Sequence, residues 1–189
     1  MYRSSTDYDY MAKLAIEVRV DYGITGCFID EKELCRKMGI ELFTYSDFYS
    51  ILDLSSLSDE AFYIPSVIDK STGKINPPKI IYNEKIASEG RIRFSILHEV
   101  KHFLCNDNSE ESFNEDMANY FARYMLCPIP ILIYKNITNI DQIITECNVS
   151  REVASNVLKN LSNRRKYHGD KIFEYEKPLI ELLKGDCSA

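Results

Sequence analysis

His98-Glu99-Val100-Lys101-His102 uses two of the three histidines in the chain. On a helix, residues four apart share one face, so His98 and His102 would aim two imidazoles at one point. Two imidazole nitrogens can hold one zinc ion at about 2.0–2.1 Å each. Glu99 lies beside that face, where a carboxylate reaches an attacking water rather than the metal. The pattern therefore reads as two ligands and a general base for metal-assisted hydrolysis. The plainer reading is two histidines and a glutamate on a partly solvated helix. Against it stand Phe94, Ile96, Leu97, Val100, Phe103 and Leu104, which recur at helical spacing and predict a largely buried helix.

Catalytic zinc takes a third protein ligand and keeps a fourth position open. Downstream, Phe113, Met117, Tyr120, Phe121, Tyr124 and Met125 recur with helical period, and Pro128 ends the run. Glu115 falls in the first turns of this second helix, with Asn119 one turn later on the same face. We assign Glu115 as the third ligand and Asn119 as a partner that orients a ligand. Ala118 and Ala122 are small enough to let the two helices approach closely. Glu110, Glu111 and Asp116 compete with Glu115. A solvated acidic loop and helix start, favoured by the helix dipole, accounts for them. It would account for Glu115 as well, were it not paired with the upstream motif.

Arg91-x-Arg93-Phe94-x-x-x-His98-Glu99-x-x-His102, then Glu115-x-x-Ala118-Asn119-x-Phe121-Ala122 and Leu126-x-Pro128, resembles the ImmA/IrrE family of zinc metallopeptidases. The resemblance is specific over about residues 79–130 and weaker outside them. It implies a zincin-like fold, one Zn2+ on His98, His102 and Glu115, and Glu99 as catalytic base. It also implies a protein substrate: a helix-turn-helix transcriptional repressor of a mobile element, prophage or stress regulon, cut to relieve repression. The chain departs from the family pattern twice. The glycine that usually precedes the second histidine is Lys101 here, which would place a cation near the site. The further histidine that often follows the motif is replaced by Cys105-Asn106. Neither departure removes a ligand. Four residues compete, unranked, to stabilise charge on the substrate carbonyl: Tyr82, Tyr120, Tyr124 and His168.

A length of 189 residues suits one domain, or one domain with a small appendage, and a 45% hydrophobic share allows an ordinary core. No apolar run reaches the roughly 18 residues that span a membrane. Met1 to Tyr10 shows no basic-then-apolar signal pattern. Cys27, Cys35, Cys105, Cys127, Cys147 and Cys187 form no C-x-x-C pair and are expected to be small buried hydrophobes in a reducing cytoplasm. Cys105 shares a helix face with His102, but three stronger ligands are already at hand. A net charge of −6 argues against direct nucleic-acid binding by the whole chain and suits a basic protein partner.

The elements that must position these residues follow from pattern and punctuation. A helix is predicted over 7–22, with Tyr10, Leu14, Ile16 and Val18 inward. Asp30 should cap a short helix, with Glu33 at capping-box spacing and Gly39 ending it. Strands are predicted over Ile40–Tyr45, over Ala61–Ile68 with an interruption at Pro65, and over Lys79–Asn83. Residues 46–58 read as a loop or short helix, and 69–74 as a turn. Pro65, Pro77 and Pro78 suit an edge strand, since proline donates nothing to a ladder. By resemblance Ile80–Asn83 is expected near the edge that receives substrate, although prolines also simply guard an edge against aggregation. From Ile140 a helix, a tight turn and a second helix through Arg165 resemble a helix-turn-helix, with Ser150 as N-cap. Lys159, Arg164, Arg165, Lys166, His168 and Lys171 form a basic run there, which the acidic net charge assigns to a solvated face rather than to DNA.

The expected protein is thus α+β. A zincin-like metallopeptidase domain over 1–136 contains a small mixed sheet, and a helical C-terminal region over 137–189 packs on it. It would be a cytoplasmic zinc-dependent endopeptidase. The alternative is a regulatory module that sequesters a repressor without cutting it.

Overall fold

In chain order the helices and strands are α1 (Ser5–Asp21), α2 (Glu31–Lys37), β1 (Glu41–Thr44), β2 (Ala61–Ile64), β3 (Val67–Ile68), β4 (Ile75–Asn76), β5 (Lys79–Tyr82), α3 (Glu89–Cys105), α4 (Ser112–Leu126), α5 (Ile129–Tyr134), α6 (Ile140–Cys147), α7 (Arg151–His168) and α8 (Lys177–Asp186). This is the predicted α+β architecture with a small mixed sheet. The computed structural model describes residues 5–48, 54, 57–86, 88–107 and 112–186. Glu110, Glu111, Cys187 and residues 49–53, 55 and 56 of the predicted 46–58 segment lie outside them. The chain divides into two units, Asp30–Ala122 and a second made of Met1–Ile29 with Arg123–Ala189.

In the Asp30–Ala122 unit, local signals act as expected. The Asp30 side chain accepts the Glu33 N–H at 2.9 Å and caps α2. Gly39, at φ +73°, lets the chain turn from helix into β1. The sheet order is β1-β5-β2, with β1 parallel and β2 antiparallel to β5. β5 is therefore the central strand, and Ile80, Ile81 and Tyr82 are buried. This corrects the expectation that Ile80–Asn83 lies near the edge. Pro77 and Pro78 precede β5 and remove donors only ahead of its ladder, so they do not exclude it from the middle. The edge strand beside the motif helix is β2. Pro65 separates β2 from the small β3–β4 ribbon, whose turn is held by Asp69 accepting from Ser71 and Thr72.

Helix α3 packs on β2 and β5. Ser88 caps it by accepting from the Arg91 N–H, and Asn106 closes it in the left-handed conformation, φ 51°. Ile96, Leu97 and Val100 are fully buried, so the motif does sit on a core helix. At that coarse level the sequence reading and the structure agree. Tyr45–Asp47 forms a single 3-10 turn.

The other unit draws its core from both ends of the chain, so its limits differ from a boundary at 136. Helix α1 packs on α8, and α5 on α8. On α1 the buried positions are Met11, Ala12, Ala15, Ile16 and Val18, whereas Tyr10 is 58% exposed and Leu14 half-buried. The inward face is thus turned from the predicted one, because it centres on two alanines that permit close approach. Arg19 is completely buried and donates to the carbonyl oxygens of Gly26 and Met125, joining the loop after α1 to the end of α4. Cys27, Cys35, Cys127 and Cys147 are buried free thiols, as expected, and Cys105 is half-buried.

Helices α6 and α7 form the predicted helix-turn-helix pair. Asn148 turns the chain at φ 48°, and Ser150 caps α7, which runs on past Arg165 to His168. Two members of the basic run are bonded within the chain. Arg165 meets Asp170 and the Ile137 carbonyl, each at 2.7 Å, and Arg164 meets Glu176. Glu176 is fully buried and accepts from Arg164 at 2.8 Å, the Phe173 N–H at 2.7 Å and the Tyr124 hydroxyl at 3.2 Å. Glu176→Ala would strand a nearly buried guanidinium and should lower stability by about 3–5 kcal/mol. Urea unfolding measures this; a loss no larger than that of a surface substitution would contradict it. Among the described residues no helix is long and apolar enough to cross a membrane.

Candidate metal centre

One helical turn on α3 brings His98 and His102 together, with their Nε2 atoms 3.2 Å apart. Helix α4 delivers Glu115 from the other side. Its Oε2 lies 3.1 Å from His98 Nε2 and its Oε1 3.3 Å from His102 Nε2. These separations can be compared with those of a real site. Four ligands at zinc bond lengths of about 2.0–2.1 Å in a tetrahedron stand roughly 3.3–3.4 Å from one another. The observed contacts of 3.1–3.3 Å, made to the two histidines by different oxygens of Glu115, are of that size, and the three residues converge as a group able to hold a metal ion, with one ligand atom each within 4.8 Å of the others. Two imidazoles and one carboxylate are a donor set that fits a divalent metal.

Protonation favours the same conclusion. Burial pushes the His98 pKa below its ordinary value, outweighing the Glu115 carboxylate. Burial, and then the neighbouring His98, lower that of His102. Neutral imidazole is the form that binds metal. Asn119 Oδ1 lies 3.1 Å from His98 Nδ1 and accepts its proton. That bond fixes the tautomer and leaves Nε2 free to face Glu115.

Glu99 is one residue along from the ligand face and outside the ligand group. Its pKa is pushed up to about 8, first by burial and then by repulsion from Glu115, against a hydrogen bond from the Tyr63 backbone N–H. Two cavities meet at the cluster. The larger, about 620 Å³, has an apolar wall of Leu57, Phe62, Tyr63 and Pro65. The smaller, about 350 Å³, is bounded by Asp59, Glu60, Arg91 and Phe94. Glu99 and Glu115 line both.

Strand β2 lines the larger cavity with Ala61, Phe62 and Tyr63, and Ala61 is shared with the smaller. The Asn83 N–H donates to the Glu60 carbonyl at 2.7 Å. Antiparallel alternation then turns the backbone groups of Ala61 and Tyr63 away from β5, towards the open edge. The Tyr63 N–H on that edge is the one that meets Glu99. Glu60, just ahead of β2, accepts from Arg91 and, at 2.7 Å, from Ser95. Burial would raise the Glu60 pKa, but these bonds hold it below the usual carboxylate value. Glu60 thereby fixes the start of the edge strand to α3, and Arg91 of the sequence motif acquires a role.

Of the remaining candidates, Tyr82 and Tyr120 belong to the unit that holds the cluster, and Tyr124 and His168 to the other. Tyr82 is buried on β5, and the Tyr124 hydroxyl bonds Glu176. His168 packs edge-on against Phe173 at 5.3 Å, and Tyr120 is half-buried on α4. Neither Tyr82 nor Tyr120 is among the described residues lining the two cavities. Asp116 and Cys105 do not join the converging group. Lys101 does not point its charge at the ligands: its ammonium is buried and bonded to Asp107 and to the Asn114 carbonyl. Sequence reasoning passed over Glu60, Tyr63 and Asp107, which carry no spacing signal.

A protein-family model described as Peptidase_M78, IrrE N-terminal-like domain, matches residues 52–159 and so spans the whole cluster. No curated protein matches the chain.

Proposed function

The chain belongs to the Peptidase_M78 family, and from that premise we propose that it is a zinc-dependent endopeptidase of zincin type. The observation that carries this reading is the convergence of His98, His102 and Glu115 into one group of possible ligands with Glu99 alongside. When bound, zinc would supply Lewis acidity for the attacking water and the scissile carbonyl. Glu99 takes the proton of the water and hands it to the leaving amine. Its raised pKa suits a carboxyl that must hold that proton between the two transfers. Asn119 keeps the His98 ring in its ligating tautomer. The backbone groups of Ala61 and the Tyr63 carbonyl face the outer edge of β2 and would offer an extended substrate main-chain hydrogen bonds. The apolar wall of the larger cavity would take an apolar side chain next to the scissile bond.

The substrate we infer is a helix-turn-helix transcriptional repressor of a mobile element, prophage or stress regulon, met in the cytoplasm. The family resemblance supports this, and the net charge of −6 suits docking to a basic DNA-binding protein. The test mixes the full chain with the repressor encoded beside its gene. Discrete repressor fragments that depend on zinc and vanish with a chelator are expected. Intact repressor in a stable complex would instead make the chain a sequestering module.

A further inference from the structure

Lys101 stands where the family pattern has glycine, directly before a ligating histidine. A lysine there should repel a bound cation, yet its side chain is turned away and only 3% exposed. Its Nζ bonds the Asp107 carboxylate and lies 3.4 Å from the Asn114 carbonyl oxygen. Both partners are placed by local structure. Beyond the left-handed Asn106, the Asp107 N–H donates back to the His102 carbonyl at 3.0 Å. That return leaves Asp107 Oδ2 3.7 Å from His102 Nδ1, the ring nitrogen opposite the one facing Glu115. Asn114 immediately precedes Glu115 in the first turn of α4. One buried ammonium therefore joins the chain leaving α3 to the turn that carries the third ligand.

We propose that Lys101 and Asp107 are positioning residues that set Glu115 and His102 at liganding distance. This rests on the reading of the cluster as a metal centre. A buried ammonium is costly unless paired, so this contact is kept whole or lost whole, and it holds its attachment points accordingly. Asp107 also offsets the lysine charge, which leaves the ligands without a bare cation behind them. Partners of this kind orient first ligands and tune their affinity.

The experiment is zinc affinity by chelator competition for the wild type, Lys101→Met, Asp107→Asn, the double variant and Lys101→Gly. Each single variant should bind zinc roughly 10–100-fold more weakly. The double variant should lose little beyond either single, because both remove one contact. The metal-free far-UV spectrum should stay unchanged throughout. Lys101→Gly restores the family residue and should nevertheless lose affinity. Wild-type affinity in Lys101→Met and Asp107→Asn, or tighter binding by Lys101→Gly, would overturn the proposal. Should Lys101→Met fail to fold, the isosteric Asp107→Asn decides alone. A wild type that binds no zinc at all would overturn the metal-centre reading, and this one with it.

Discussion

Glu99→Gln should bind zinc as the wild type does and cleave its substrate roughly 10²–10⁴-fold more slowly. The two halves of this result rest on different observations. Zinc should stay because Glu99 lies outside the group of His98, His102 and Glu115, and the amide leaves their spacing untouched. Hydrolysis should fail because an amide cannot accept the proton of the water or return it to the amine. The fold should not suffer, since glutamine fills the same volume and removes the repulsion between Glu99 and Glu115. Zinc content and cleavage of a peptide spanning the scissile bond read the two halves separately. A variant that cleaves at the wild-type rate would exclude Glu99 as the base. One that loses both zinc and cleavage would place Glu99 among the ligands.

How much of this was legible in the sequence depended on the range of the interaction. His98 and His102 are one helical turn apart, so spacing alone put them on one face. Glu115 and Asn119 needed the phase of a second helix, which its apolar stripe supplied. The caps at Asp30 and Ser150 and the turn after Gly39 are equally local and formed as read. Strand order was not legible. The parallel pairing of β1 with β5 joins segments far apart in the chain, and proline position favours an edge without assigning one. The same limit hid Glu60, whose partners Arg91 and Ser95 lie 31 and 35 residues away. Asp107 was hidden for another reason: its place behind His102 exists only because Asn106 adopts a left-handed turn. The four residues considered for the carbonyl were single aromatic or histidine side chains, with no periodicity to tie them to the site. On α1, alanines rather than the larger residues set the buried face, so ranking by side-chain size misplaced Tyr10.

Protein purified without chelator should hold about one zinc ion per chain, and His98→Ala, His102→Ala and Glu115→Ala should each abolish stoichiometric binding. Removing any one of the three leaves two protein ligands, too few to hold catalytic zinc. Asn119→Ala should be milder, roughly 10–100-fold weaker in affinity, because it frees the His98 ring without deleting a donor. Asp116→Ala is the discriminating control. Asp116 neighbours Glu115 on α4 but does not join the converging group, so zinc content should not change. Loss of zinc in Asp116→Ala with retention in Glu115→Ala would exchange their roles and shift the facing side of α4. Elemental analysis of all five variants decides among these outcomes. If the wild type takes up no metal even when zinc is added back, the His-Glu-x-x-His turn is no metal site. Sequestration of a repressor without cleavage would then become the better reading, because among the described residues β2 ends the sheet beside the two cavities whether or not a metal is bound.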